Sequence, residues 1–494
     1  MKILLITPPS TLMPIERPHV VAPLGLAYIA AVLERDGFDV EILDCVAMGW
    51  RRYLKKWKVS EIKTEKPIHF GLSWKEIESK IKKASPDVVG ISCSYSCQSP
   101  NAHKTAGIVK KANKKTRVVF GGAHPSAFPI KTLKDRNVDY VVIGEGELTV
   151  SELVKKLDKG SGVSGIRGIA YREKGRPKIN PAREFIQDLD SLPPPARHLL
   201  PMEEYFEANS THGGEARWTP ITSMVTSRGC PGNCIFCSIH VIWGHRWRAR
   251  SPKNVVDEIE HLVKKYGVRE IHFEDDNLTL DRRRMIEICD DVVDRGLAGK
   301  FRWTTPNGVM AATLDEEVLR KMKAAGCYSL SFGIESGSKR ILREVIRKNV
   351  PFEKLGEVVK ACKKLGIETS GSFILGLPGE NEETFRKTIN LAKALDLDAA
   401  SFLAATPFPG TELYDMCVEH GYISKDMEWS EFRTIGSAMI TTKSFSRDDI
   451  LRWQKKAYKE FYFRPKRIMK KIAQNIKSPR SIWRLAIRYK KFVS

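Results

Sequence analysis

The chain has 494 residues, of which 42% are apolar and 29% charged, and it carries a net charge of +23. That length allows two or three domains with separate cores, and no apolar run approaches the ~20 residues that span a bilayer. Ten cysteines in so long a chain exclude a small disulfide-stapled scaffold, so they are expected as buried hydrophobes or as ligands.

The opening stretch MKILLITPPS is too short in its apolar part for a signal peptide and reads as a first strand, which points to a cytoplasmic protein. Strands are expected at KILLIT, DVEILD, DVVGIS, RVVFGG and YVVIGE, separated by amphipathic helical stretches such as PLGLAYIAAVLERDG. This alternation over residues 1–158 predicts an open, Rossmann-like parallel sheet, whose ligands sit beyond the carboxyl ends of the strands. Those ends are TPPS, SCSYS, GGAHP and GEGE, all small and polar. A hairpin, GIRGIAYREKGRPKIN, and the stretch DLDSLPPPARHLL follow; three consecutive prolines break any helix or central strand, so residues 159–215 are taken as a connector.

A second series begins near residue 216 and runs to about 415. Its strands are SMVTSRG, EIHFEDD, FRWTTPN, YSLSFGIE, TSGSFILG and AASFLAAT, with helices such as NVVDEIEHLVKKYG between them. Six strand–helix units predict a partial barrel with chemistry at the carboxyl ends of its strands. Residues 416–494 are expected to be helical. From Arg464 to Ser494 there are eleven Lys or Arg and no Asp or Glu. Ile468, Ile472 and Ile476, then Ile482, Leu485, Tyr489 and Phe492 with Trp483 at the border, form apolar stripes among these basic residues. Such a tail suits a helix lying on an anionic membrane; a tail packed on the barrel and a nucleic-acid contact are the other readings. No RNA-binding module accompanies it, which disfavours nucleic acid.

Just after the first strand of the second series, RGCPGNCIFC places Cys230, Cys234 and Cys237 together, with Pro231 and Gly232 turning the chain. A zinc site needs a fourth ligand, and His240 or His245 could supply it. The motif C-x3-C-x-aromatic-C in this strand context resembles the radical S-adenosylmethionine (SAM) superfamily. The resemblance implies that the three cysteines bind a [4Fe–4S] cluster whose fourth iron is chelated by SAM, and that a 5′-deoxyadenosyl radical is generated there. Phe236 would shield the site. Asp275, Asp276 and Asn277 of FEDDNLT would face the methionyl end of SAM, Glu335 of GIESGS its ribose or amino group, and Ser372 and Gly376 its adenosine. In TTPNG, Asn307 stands where many relatives carry arginine.

From residue 1 to about 465 the chain resembles the cobalamin-binding branch of that superfamily, which includes the anaerobic magnesium-protoporphyrin ester cyclase and the hopanoid methylases. Asp44 and Gly49 of DCVAMG match the first cobalamin motif, except that Val46 replaces the cobalt-ligating histidine. Ser92, Ser94, Gly121 and Gly122 match the later motifs, and Gly144 and Glu145 lie on the same sheet edge. His103 and His124 are expected as hydrogen-bonding groups, not as replacement ligands. The resemblance implies methylation of an unactivated carbon, on a lipid or other membrane-associated substrate, with reduced ferredoxin or flavodoxin as electron donor. Cyclisation or carbon–carbon coupling of a lipid or tetrapyrrole is the second reading, and a zinc-stapled binding protein without activity the third.

Overall fold

The computed structural model describes residues 1–13, 18–54, 67–211, 214–424, 427–434, 437–465, 467 and 469. The apolar stripes expected in the basic tail lie outside the described residues.

Five strands form a parallel sheet in the order Asp39–Asp44, Lys2–Thr7, Val88–Ser92, Arg117–Gly121 and Tyr140–Val142. Its central strands are buried on both faces, which is why they read as continuous apolar runs. One face is covered by Ile77, Ile81, Ala102, Ala106 and Val109 from the helices Trp74–Ala84 and Ser99–Ala112. The other is covered by Leu26, Ala30, Leu33, Leu153 and Val154 from Leu24–Arg35 and Glu147–Asp158. The expected hairpin forms, but as part of this sheet and not as part of a free connector. Ile169–Glu173 pairs antiparallel with Tyr140–Val142, and Arg176–Ile179 pairs with it in turn.

The second sheet is wholly parallel, in the order Ile221–Met224, Glu270–Phe273, Arg302–Val309, Cys327–Glu335, Glu368–Leu375 and Ala399–Ala404. SMVTSRG, expected as one strand, divides: after Met224 the chain leaves the sheet, and Ser227–Arg228 pairs antiparallel with Arg248–Ala249. Along Cys327–Glu335 the residues Leu330, Phe332 and Ile334 are buried against the outer helices, while Ser329, Ser331 and Gly333 point inward and are half-buried. Ser331 Oγ and Ser370 Oγ lie 2.6 Å apart on that inner face, and Thr304 Oγ1 donates to the Ser329 carbonyl at 2.9 Å. The amino-terminal end of the barrel is closed by Glu270. It accepts from Arg217 N and Trp218 N at 2.8 Å each and from Tyr328 Oη at 2.7 Å.

An open barrel leaves an edge strand with unpaired backbone groups. The helix Arg447–Tyr462 lies along that edge, Ala399–Ala404. Tyr458 and Tyr462 put their hydroxyls 3.2 Å from Phe402 N and 3.1 Å from Ala400 N, and Gln454 Nε2 donates to the Phe402 carbonyl at 2.7 Å. Among the described residues no helix is long and apolar enough to cross a membrane.

Candidate active site between two sheet edges

The cysteine loop is closed at its neck by the two-residue ladder between Ser227–Arg228 and Arg248–Ala249. Gly229, at φ +84°, turns the chain inside that neck, and a Cβ on it would lie 2.4 Å from the Arg246 carbonyl oxygen. Asp275 fixes the base. Its buried carboxylate accepts from Thr226 N at 3.1 Å, Thr226 Oγ1 at 2.7 Å and Ser227 Oγ at 2.6 Å. Burial pushes that carboxyl up from its ordinary range despite these bonds. The carboxylate expected to meet SAM therefore also ties the base of the loop to its strand.

Within the loop, a Cβ on Gly232 would fall 3.5 Å from Cys230 Sγ and 3.9 Å from Cys234 Sγ, so these two thiols close over the glycine. Cys237 N donates to the Cys234 carbonyl at 3.0 Å. Burial pushes the Cys237 thiol up to about 12 and raises that of Cys234, and negative charge on the neighbouring thiols adds to both. Buried thiols that resist ionisation are matched to a ligand that displaces their protons and brings positive charge. Among the described residues no group of three His, Cys, Asp or Glu is placed to hold a single metal ion. His240 and His245 stack on each other with ring centroids 3.6 Å apart, and His240 Nδ1 lies 3.2 Å from the Gly244 carbonyl. Thiolates on separate irons stand farther apart than ligands that converge on one zinc, so the set fits a cluster better than a zinc ribbon. Phe236 is half-buried and packs against the barrel core beside Cys234.

Glu335 ends its strand at φ +65°, a backbone region that costs a non-glycine residue about 1–3 kcal/mol and that concentrates at functional sites. Its Oε1 lies 2.8 Å from Lys348 Nζ. Burial alone would lower the Lys348 ammonium, but Glu335 and the nearby thiols of Cys234 and Cys237 outweigh it and raise the pKa. A side chain on Gly333 would strike both partners, with Glu335 Oε1 at 2.7 Å and Lys348 Nζ at 2.8 Å from its Cβ. Ser372 stands in register with Gly333 on the next strand, facing the same space. Carboxylate, ammonium, hydroxyl and thiols thus converge, which suits the zwitterionic methionyl group and the ribose of SAM. Lys348 carries no motif that marks it in the sequence.

Asp276 lies within electrostatic reach of Cys237, and burial, then the neighbouring Asp275, push its carboxyl up to about 7. Asn277 is buried: Nδ2 donates to Met310 Sδ at 2.9 Å, while Oδ1 has no hydrogen-bond partner, an acceptor that an ammonium donor would satisfy. Asn307 Nδ2 donates to the Glu274 carbonyl at 2.8 Å, tying two strand ends together. Gly376 was expected at the adenosine; its N–H is instead spent on Glu380 Oε2 at 2.8 Å, and Ile450 packs 3.0 Å from its Cβ position. It has no backbone donor left to offer a ligand.

Burial pushes the Glu380 carboxyl up to about 7, from an ordinary 4.5. Between those values the folded state holds a proton that the unfolded state has lost. The stability contributed by the neutral acid is therefore complete below pH 4.5 and lost as the pH rises through about 7. Glu380→Gln should accordingly raise the melting temperature relative to wild type more at pH 8 than at pH 5, which thermal unfolding at both values checks.

At the edge of the first sheet, Asp44 Oδ1 accepts from Val46 N and Ala47 N at 2.9 and 3.0 Å, and Oδ2 from Tyr205 Oη at 2.7 Å. Val46 is buried in an apolar cluster with Trp50, Phe70 and Tyr205 and offers nothing to a metal. Gly49 is required by the chain itself, because a Cβ there would lie 2.1 Å from the Gly71 carbonyl carbon. Gly122, at φ +110°, is likewise hemmed in by the Cys93 carbonyl at 2.7 Å. Gly121 faces open space, Ser92 is half-buried and Ser94 exposed, which leaves a polar, unobstructed strip that a cobalamin can occupy. His124 Nδ1 bonds Ser96 Oγ at 3.0 Å and His103 Nδ1 bonds Asp135 Oδ2 at 2.7 Å, so both act as hydrogen-bonding groups. Glu145 was expected at the cobalamin. It is instead buried under Arg228 Nη1 at 2.9 Å, Arg248 Nη1 at 2.9 Å and Ile186 N at 2.7 Å, and contacts no open surface.

The two edges face each other. Residues His240–Trp243, which follow Cys237, pack on Ala123–Ala127 of the first domain, and a Cβ on Gly144 would come 3.8 Å from the Ile242 carbonyl oxygen. Tyr95 is 59% exposed, yet burial and the charge of Glu274 raise its phenol. Tyr95 of the first domain thus lies within electrostatic reach of Glu274 of the barrel.

Residues 224–392 match the radical SAM superfamily and residues 11–154 the B12 binding domain. An uncharacterised methyltransferase of Pyrococcus horikoshii is 38% identical over 96% of this chain and 95% of its own length. The cytidylyl-2-hydroxyethylphosphonate methyltransferase of Streptomyces wedmorensis is 34% identical over 87% of this chain and 84% of its own. The radical SAM methyltransferase TsrM from Kitasatospora setae, solved with cobalamin and a [4Fe–4S] cluster, shares the fold with a TM-score of 0.67 and 22% identity, covering 85% of this chain and 78% of that one. The chain therefore belongs to the cobalamin-dependent radical SAM methyltransferase family, enzymes that use a [4Fe–4S] cluster, SAM and cobalamin.

Proposed function

We propose that this enzyme transfers a methyl group to an unactivated carbon of an amphiphilic small molecule. The observation that carries the reading is the facing of the two edges: Gly144 of the first domain lies against the segment that trails Cys237. When bound, the cluster with SAM supplies hydrogen-atom abstraction, and cobalamin supplies a methyl carrier. Cys230, Cys234 and Cys237 hold the irons, while Lys348 and Glu335 orient the carboxylate and amino ends of SAM. Tyr95 and Glu274 border the space where the substrate carbon is presented, and burial of the surrounding groups excludes water from it. Reduced ferredoxin or flavodoxin supplies the electron. The lipid part of the proposal is supported by the eleven basic residues, with no acidic one, from Arg464 to Ser494.

The test is turnover with CD3-labelled SAM after anaerobic reconstitution with iron, sulfide and hydroxocobalamin, offering a lipid extract and an aqueous metabolite pool separately. Labelled methyl in the lipid pool, with S-adenosylhomocysteine formed beside 5′-deoxyadenosine, is the expected result. 5′-Deoxyadenosine without S-adenosylhomocysteine would replace methylation by cyclisation or carbon–carbon coupling. Label confined to the aqueous pool would remove the lipid substrate.

A further inference from the structure

The ladder that closes the cysteine loop sets Arg228 directly opposite Arg248. Both guanidiniums are buried, with side chains 4% and 3% exposed. Two adjacent buried cations are tolerated only if matching anions are buried with them. Neither anion comes from the barrel. Glu145 Oε1 takes both arginines at 2.9 Å, and Glu147 Oε1 takes Arg228 Nη2 at 2.6 Å. Glu145 lies in the turn that follows the Tyr140–Val142 strand and Glu147 opens the next helix, both close to Gly144 at the cobalamin edge. The quartet is neutral overall and boxed in by aromatic rings, with Trp243 4.5 Å from the Arg228 guanidinium and Phe185 5.0 Å from that of Arg248. Arg248 also donates to the Trp243 carbonyl at 2.9 Å, so the segment trailing Cys237 is held by the same group of charges.

We infer that Glu145, Glu147, Arg228 and Arg248 form a spacer that sets the position of the cluster loop relative to the cobalamin-bearing edge. Arg228 stands two residues before Cys230, and Glu145 one residue after Gly144. The rigid path from one cofactor site to the other therefore runs through three charge-assisted contacts. Arg228 spans both carboxylates, Nη1 on Glu145 and Nη2 on Glu147, and such charge-assisted bonds fix direction as well as distance, which a hydrophobic contact does not. These are positioning residues, since no one of them reaches the reacting atoms.

The inference rests on the family's use of both cofactors, so wild-type protein is first loaded and checked for about four irons and one cobalt per chain. Absent cobalt would fail the cobalamin assignment and not the spacer. The readout is the magnetic coupling between cobalt(II) and the reduced cluster in electron paramagnetic resonance, a distance that thermal stability alone does not move. Glu147→Gln, nearly isosteric but uncharged, is expected to keep iron and cobalt while losing the wild-type coupling pattern, with Glu147→Asp intermediate. A loaded Glu147→Gln protein with unchanged coupling and only a lower melting temperature would overturn the inference. If that variant does not load, Arg228→Lys is read in the same way. Loss of iron with cobalt retained in both would also overturn it, in favour of a role in forming the cysteine loop alone.

Discussion

Cys237→Ser should abolish cluster retention and SAM cleavage while both sheets stay folded. The thiol is one of three ligand-type groups in the loop, and burial to about 12 shows how little the apo-protein favours its ionised form. A serine hydroxyl at that depth is harder still to ionise and is a poor ligand for iron, so the cluster loses one of its protein ligands. The damage stays local because the loop is joined to the barrel through the Ser227–Arg228 neck, and Asp275 fixes that neck from below without any cysteine. Far-ultraviolet circular dichroism and the melting temperature of the variant should match those of wild-type apo-protein, while iron content falls and 5′-deoxyadenosine disappears. Retention of about four irons by the serine variant would refute the ligand assignment.

Lys348→Met should damage the protein in two separable ways. Removing the ammonium leaves Glu335 buried with no opposite charge at 2.8 Å, and stripping one partner from a buried pair costs about 3–5 kcal/mol. The low end applies, because the lysine side chain is 24% exposed. The melting temperature should therefore fall. SAM binding should weaken by about tenfold or more, since the charge-assisted contact proposed between Lys348 and the SAM carboxylate would be lost. Glu335→Gln on top of Lys348→Met removes the orphaned charge and should restore most of the stability without restoring SAM affinity. Calorimetric titration with SAM and thermal unfolding of the single and double variants separate the two effects. Full recovery of SAM binding in the double variant would assign Lys348 a purely structural place.

Both sheets were legible in the sequence because a parallel strand buried on both faces leaves an uninterrupted apolar run, and each helix between strands leaves its own period. The cysteine loop was legible because its three thiols lie within eight residues of one another. What escaped were partners distant along the chain. The contacts of Asp275 in FEDDNLT to Thr226 and Ser227, 49 and 48 residues away, cannot be read from its own stretch. Glu145 sits in a stretch that suits a cofactor edge, and its arginines are 83 and 103 residues away. Gly49 and Gly376 match family positions, yet Gly71 and Glu380 explain them. Lys348 could not be found from spacing, because the turn that returns it to Glu335 has no signature. The division of SMVTSRG into two short strands was equally invisible, since both halves remain buried.

The inward-facing serines of the barrel have a thermodynamic consequence. Closed eight-stranded barrels fill their interior with bulky branched side chains. Here Ser331, Ser370 and Ser372 stand on the inner face, so part of the interior is lined by small hydroxyls in place of branched apolar side chains. A ligand bound against that polar lining adds its contacts to the folded state alone. Heat resistance becomes a property of the loaded enzyme: each tenfold rise in free SAM above its dissociation constant adds about 1.4 kcal/mol to the folded state. SAM thereby acts as a stabiliser of the fold as well as a reactant.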